Sequence, residues 1–267
     1  MLRRRLWLVG VMLACTAPGV HACSGSSAPV NAPSAQSQGA PPSAPTAGTA
    51  LATTAATLTS SAVTEGESGG NRYSVQIEAI DGATDDGAGT WKAQAAQLNG
   101  GDERFTNAFN VASRNSVTGL IDNARADASS DSWTLEATSR VTFQPEAVSQ
   151  STVGVYYAKG AAHPLYDIAT VVIDSRDGRP ITLQSLFINE QDGLNRLSVK
   201  AGVILGVNNE TGLRPIEKNF ANWIPTAAGF EIHFADYQLG HGLRVTTIPW
   251  SYLVDLLAPN MTALAQK

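Results

Sequence analysis

Apolar and polar residues take turns along several stretches of the chain, and the period of that alternation assigns the elements. Over residues 73 to 80, Tyr73, Val75, Ile77 and Ala79 fall on one side of an extended strand, which Asp81-Gly82 ends. Beyond Asp102 the period lengthens to three and four. Phe105, Ala108, Phe109, Ala112, Ser116, Leu120 and Ala124 form the stripe of a long amphipathic helix, with Asp102 placed to cap its first amides. Trp133, Leu135, Ala137, Ser139, Val141 and Phe143 return to a period of two until Pro145 stops the run, and residues 151 to 158 and 168 to 174 read as two more strands. The run Ser175-Arg176-Asp177-Gly178-Arg179-Pro180 has turn chemistry and leads through Leu183 and Phe187 to a medium helix over residues 194 to 207. A last pair of strands, 229 to 234 and 243 to 248, precedes a short helix at 251 to 257. Strands and helices come in blocks and not in strict alternation. The predicted class is therefore α+β, a largely antiparallel twisted sheet with one long and one medium helix packed on one face.

The first 70 residues have a different character. Arg3, Arg4 and Arg5 precede an apolar run that Pro18-Gly19 breaks, so residues 1 to 22 read as a secretory signal, too short to span a bilayer permanently. Cys23 follows Ala22 and opens a Ser-Gly-Ser-Ser stretch, which is similar to a bacterial lipobox with Cys23 as the lipidated first residue of the mature chain. Acyl chains on that sulfur would hold the protein on a membrane without a transmembrane helix. Cleavage after Ala22 without acylation, leaving a secreted protein, is the other reading. From Ser24 to Gly70 the composition is mainly Ala, Ser, Thr, Pro, Gly and Gln, with no Lys, Arg or aromatic residue and only two acids, Glu65 and Glu67. Such a segment buries too little apolar area to offset its ordering entropy and is expected to be a disordered tether. Residues 71 to 267 then form a single domain, long enough for a proper core.

Charge narrows the partners. The full chain carries -5, and loss of the three N-terminal arginines takes it to -8 with no basic run left, so a nucleic acid has no electrostatic support as a partner. The mature chain keeps at most Cys23, which rules out an intramolecular disulfide.

A resemblance enters on particular strings. Gly160-Ala161-Ala162-His163-Pro164, then Gly178-Arg179-Pro180-Ile181-Thr182-Leu183 with Leu186-Phe187, then Phe220-Ala221-Asn222-Trp223-Ile224-Pro225, Asp236-Tyr237-Gln238-Leu239-Gly240 and Val245-Thr246-Thr247-Ile248-Pro249-Trp250 occur in order. Together they resemble a domain-of-unknown-function family that includes the extracellular domain of RsiV-type anti-sigma factors and a small secreted mycobacterial immunogen. The likeness covers residues 152 to 257 and extends to 73 to 147 in layout only. It implies an actinobacterial, in particular mycobacterial, envelope lipoprotein. The RsiV-type members bind lysozyme with this domain, which makes a wall enzyme of that kind the implied partner class. This chain has neither their transmembrane segment nor their cytoplasmic sigma-binding region, and after Tyr237 it carries the shorter Leu239-Gly240-His241-Gly242-Leu243.

Candidate chemistry is sparse. The mature chain holds His163, His233 and His241; no pair has the i, i+4 spacing that puts two ligands on one helical face, and no H-E-x-x-H string occurs, so no metal and no cofactor is expected. Ser151 or Ser251 with His163 or His241 and Asp167, Asp174 or Asp236 make triads on paper only. Gly66-Glu67-Ser68-Gly69-Gly70 matches the nucleophile-elbow spacing without the strand before it and helix after it. Asp85-Asp86 lies in a Gly-rich loop and reads as solvated, and His233 as a strand residue on the wet face. Tyr166 and Tyr237, flanked by turn residues and acids, stand out as interface anchors, with His241 beside them in sequence. The sequence points to an extracytoplasmic, lipid-anchored binding module. A weak envelope hydrolase acting on esters or glycans, with His163 as base, is the alternative.

Overall fold

In the computed structural model, residues 63–128, 132–207 and 211–266 are described. The expected signal, Cys23 and all but the end of the tether lie outside them. Six strands make the larger sheet in sequence order: β1 (Glu65–Ser68), β2 (Asn71–Ala83), β3 (Gly89–Asn99), β4 (Trp133–Gln144), β5 (Ala147–Ala158) and β6 (Leu165–Asp174). Every neighbouring pair is antiparallel except β3 and β4, which run parallel and are joined across the sheet by α1 (Glu103–Asp127). A parallel pair needs such a crossover, because a tight turn cannot reverse the chain twice. Asp102 caps the helix as the sequence indicates, accepting from the Phe105 amide at 2.8 Å, and Phe105, Phe109, Val117, Leu120 and Ile121 bury against the sheet.

The α+β class and the largely antiparallel sheet hold. What changes is the number of sheets. A second, three-stranded one forms from β7 (Trp223–Thr226), β8 (Gly229–Phe234) and β9 (Arg244–Ile248). The medium helix, α3 (Glu190–Leu205), packs its Leu194, Leu197 and Ala201 into a core shared with this smaller sheet, not beside α1. A one-turn helix, α2 (Leu183–Leu186), precedes it behind a Thr182/Ser185 capping box. The strand β7 was not legible because only Trp223-Ile224-Pro225-Thr226 forms it, too short for any periodicity. The expected closing helix at 251 to 257 is a 3-10 turn, Trp250–Tyr252, followed by turns that return Leu257 to a bridge with Phe187.

Two other differences sit in the large sheet. The strand β1 occupies residues assigned to the tether's end: its main chain pairs with β2, and the Ser68 hydroxyl donates to Gln144 O at 2.6 Å. Strand β3 escapes the alternation rule because Ala95 and Ala96 are both fully buried, one beside Trp91 and Ala93, the other beside Leu98 and Tyr73. Beyond Trp91 its Ala- and Gln-rich run also lacks the β-branched and aromatic residues that announce strands.

Strands β3 and β4 pair only from Gly89–Ala93 to Trp133–Ala137. Beyond that point side chains replace the ladder. Ser139 donates to Gln94 O at 2.5 Å and lies 2.7 Å from the Thr152 hydroxyl. Gln150 donates to Thr152 Oγ1 at 3.0 Å, and its Oε1 accepts from the Ala96 amide at 3.1 Å and from Ser113 of α1 at 2.7 Å. Ser113, Gln150 and Thr152 have no solvent exposure, so every partner counts. At the far end Arg176 forks the Asp174 carboxylate, at 2.6 Å for its shortest contact, and donates to Asn260 O at 2.7 Å, clipping the C-terminal segment to the sheet.

Candidate functional site

Two hairpin loops, one from each sheet, meet at a corner. Residues 159–164 join β5 to β6 and carry His163; residues 235–243 join β8 to β9 and carry Asp236, Tyr237 and His241. The join is made by main chain and one carboxylate. The Asp236 amide donates to Tyr166 O at 3.3 Å, and Asp236 Oδ2 accepts the Tyr166 amide at 3.3 Å. Asp236 Oδ1 accepts the Gly242 amide at 2.6 Å and lies 3.2 Å from His241 Nδ1. Burial, with only 4% of the side chain exposed, pushes this carboxyl up, but the amides of Gly242 and Tyr166 and the neighbouring His241 outweigh it and hold Asp236 below its usual range. The group is thus a fixed anion that organises the loop around it.

That loop is tightly determined. The Tyr237 amide donates to Gly240 O at 2.9 Å, the Gln238 amide to Ala235 O at 3.1 Å, and the Gln238 side chain donates to Gly212 O and Asn219 O at 3.0 and 2.9 Å. Within it Tyr237 has φ 63, the one positive φ at a non-glycine among the described residues. Left-handed backbone is unfavourable for a bulky side chain and persists where surroundings impose it. The residue as a whole is 58% exposed.

The exposed ring does not stand alone. Its hydroxyl is 3.1 Å from His163 Nε2, and His163 Nδ1 is 3.0 Å from Pro164 O. A carbonyl only accepts, so Nδ1 carries the proton in the neutral ring and Nε2 receives the tyrosine hydroxyl. The His163 and His241 rings lie 4.3 Å apart between centroids, tilted by 49°, and Tyr237 and His241 lie 5.5 Å apart. The corner is therefore an imidazole–phenol–imidazole cluster, exposed at Tyr237 and His241 and half-buried at His163, above a buried carboxylate.

Three of the residues singled out from sequence, His163, Tyr237 and His241, come together here, 74 and 78 positions apart along the chain. Tyr166 is placed differently: it belongs to β6, paired with Val155 and half-buried, and its contribution to the corner is its main chain. A strand start mistaken for a loop explains the difference, since β6 begins at Leu165 and not at Ile168. Asp236, weighed only as a triad member, is the organising group. Its signal was the Asp-x-x-x-Gly-His-Gly loop, whose short acid and two glycines suit a side-chain-to-amide turn.

The remaining candidates disperse. Ser151 is buried in β5 opposite Thr170, Asp167 takes the Ile168 amide, and Asp174 is held by Arg176, so of the paper triads only the Asp236–His241 contact forms. Among the described residues no Ser, Thr or Cys side chain hydrogen-bonds to His163 or His241. Ser68 sits in β1 before a two-glycine turn into β2, the wrong setting for a nucleophile elbow. Asp86 accepts from the Thr84 hydroxyl and the Ala88 amide, shaping the β2–β3 turn. His233 is not on a wet face: 11% of its side chain is exposed, and its Nε2 lies 3.0 Å from Glu231 Oε1, although poorly aligned to donate. Its alternation with Ile232 and Phe234 along its own strand predicted solvent there, but the region faces the larger sheet, from which Arg140 acts on Glu231. Among the described residues no three His, Cys, Asp or Glu side chains are grouped to enclose a metal ion.

No protein-family model and no curated protein matches the chain. Solved structures do resemble it. A member of the DUF3298 family from Bacteroides fragilis superposes with a TM-score of 0.52 at 12% identity, covering 76% of this chain and 100% of that one. A DUF3298 family protein from Pseudomonas aeruginosa gives a TM-score of 0.48 at 13% identity over 70% of this chain and 95% of that one. The first likeness defines the class: this chain has the fold of a domain-of-unknown-function protein of the DUF3298 type. At such low identity the fold is what is shared, and the corner must be judged on its own geometry.

Proposed function

We propose that this protein is an envelope binding module, anchored outside the cell through acylated Cys23 and held off the membrane by the segment that follows, with the His163–Tyr237–His241 corner as its contact surface. One observation carries the reading: Tyr237 is kept exposed in a strained backbone conformation by a loop that hydrogen bonds at Asp236, Gln238 and Gly242 hold in place. Aromatic anchors on rigid loops are favoured contact residues, because little entropy is lost when they are buried by a partner. The charge of -8 on the chain without residues 1–22 favours a basic partner by steering. A wall enzyme such as lysozyme fits that description, and the resemblance to RsiV-type domains supports the same choice. An actinobacterial lipoprotein is the setting this reading assumes. Among the described residues no helix is long and apolar enough to cross a membrane.

Binding of lysozyme to the full chain, measured at low and high salt, tests the surface. The wild type should bind, more weakly at high salt, and Tyr237→Ala should lose about 30-fold in affinity, the effect of truncating a central anchor. Equal capture by wild type and Tyr237→Ala, or no binding at any salt, removes this surface and partner. Mass spectrometry of the mature chain checks the anchor; a free Cys23 thiol would refute it. The hydrolase reading has one observation behind it, the Asp236 carboxylate against His241 Nδ1. Absence of ester turnover, or turnover unchanged in His241→Ala, disposes of it.

A further inference from the structure

We infer that the corner of the two hairpin loops is a binding site for a single borderline divalent transition-metal ion, Cu2+ above all and Zn2+ or Ni2+ after it, with His163 Nε2, His241 Nε2 and Tyr237 Oη as ligands and solvent in the open positions. This does not depend on the docking reading, since it needs no partner protein.

The protonation pattern comes first. Each imidazole has its Nδ1 against an acceptor on its own side: Pro164 O at 3.0 Å for His163 and Asp236 Oδ1 at 3.2 Å for His241. A ring held in this way keeps its lone pair on Nε2, and a carboxylate or carbonyl behind the ring is the arrangement that orients metal-binding histidines and raises their basicity. Both rings carry it.

The spacing comes second. A metal ion binds imidazole nitrogen at about 2.0–2.1 Å, so two ligand atoms on one ion are about 2.8 Å apart in a square arrangement and about 3.4 Å apart in a tetrahedral one. The Tyr237 Oη to His163 Nε2 separation, 3.1 Å, lies between these limits, and the His241 ring, with its centroid 4.3 Å from that of His163 and 5.5 Å from that of Tyr237, is near enough for a ring rotation to deliver its Nε2 to the same ion. The hydroxyl hydrogen bond thus marks an edge that an ion can take over, with the phenol giving up its proton to solvent as oxygen coordinates. Imidazole nitrogen with phenolate oxygen suits Cu2+, Ni2+ and Zn2+ rather than Ca2+ or Mg2+, and among the former the general order of affinity puts Cu2+ highest.

The backbone comes third. Tyr237 reaches His163 from a left-handed conformation that its loop enforces, so the phenol is placed before any ligand arrives. The site eludes a search for helical His spacing because its ligands come from two loops.

Titration of the full chain with Cu2+, followed by electron paramagnetic resonance, tests the site. One equivalent should bind with nitrogen hyperfine structure from two imidazoles and a phenolate-to-copper charge-transfer band in the visible. The band should vanish in Tyr237→Phe. His163→Gln and His241→Gln should each weaken that equivalent by more than the roughly 10- to 100-fold that losing an outer-shell partner costs. On the unaltered chain, Zn2+ should shift NMR signals of residues 163–166 and 235–242 and leave β1 to β3 unmoved, which keeps the test independent of whether the variants fold. No bound Cu2+, Cu2+ bound equally by the double variant His163→Gln/His241→Gln, or Zn2+ shifts centred elsewhere would overturn the assignment.

Discussion

Two polar clusters in this molecule have opposite characters. Beneath α1, Ser113, Ser139, Gln150 and Thr152 hold one another and the free edges of β3 in a solvent-free chain of hydrogen bonds. At the loop corner, Tyr237 and His241 lie open to solvent beside a half-buried His163, over one buried carboxylate, with Tyr237 in a left-handed backbone conformation. The first cluster spends its hydrogen bonds on the fold. The second leaves imidazole and phenol groups at the surface while main-chain hydrogen bonds at Asp236, Tyr237, Gln238 and Gly242 hold the loop beneath them. Polar groups that close on themselves secure architecture; polar groups held rigid and left open are available to something else.

Breaking the closed cluster should have the largest effect on stability. Gln150→Ala leaves the Ala96 amide, the Ser113 hydroxyl and the Thr152 oxygen short of partners and opens a cavity, and about 3 kcal/mol or more should be lost in urea unfolding, with the corner's binding unchanged in the folded fraction. If that variant unfolds like the wild type, the chain of side chains is not what bridges β3 and β4.

The half-buried Glu231 sharpens the contrast through pH. Contact with His233 holds its carboxyl below the ordinary value of 4.5; burial opposes this, and the charges of His233 and Arg140 add to it. A depressed folded-state value means that the group stabilises the fold fully above 4.5 and less as acid protonates it. The stability difference between wild type and Glu231→Gln should therefore be largest at neutral pH and shrink as pH falls below 4.5, by thermal melts at matched ionic strength. A gap that widens in acid would reverse the sign and refute the assignment.

The smallest expected effect is the most diagnostic for the open cluster. Tyr237→Gly relieves the positive φ and should cost no stability, gaining up to about 1 kcal/mol, while partner and metal binding are lost. Loss of stability in that variant would mean that the Tyr237 ring supports the fold, and the two clusters would then not differ in kind.

Legibility followed the same division. Where one face of an element meets one core, the pattern was plain: β4 alternates Trp133, Leu135, Ala137 and Val141 inward, and α1 repeats Phe105, Phe109, Val117 and Leu120. Where an element is covered on both sides, as β3 is at Ala95-Ala96, or is four residues long, as β7 is, alternation carries no information. Tyr237 and His241 could be chosen by their turn-rich surroundings. Nothing in the order of residues could say that His163 would meet them, because that depends on how one sheet is docked on the other.

Sequence by itself determined the long helix, the strands that alternate against one core, the cap at Asp102, the class of fold and the acidic charge, since propensity, period and composition act over short stretches of chain. Tertiary structure alone decided that there are two sheets, that His233 is covered, and that His163, Tyr237 and His241 share a corner. Contacts between residues more than 70 positions apart are fixed by the burial of the two cores, and only when those cores have packed does the Asp236 carboxylate find the Tyr166 amide and bring the two loops together.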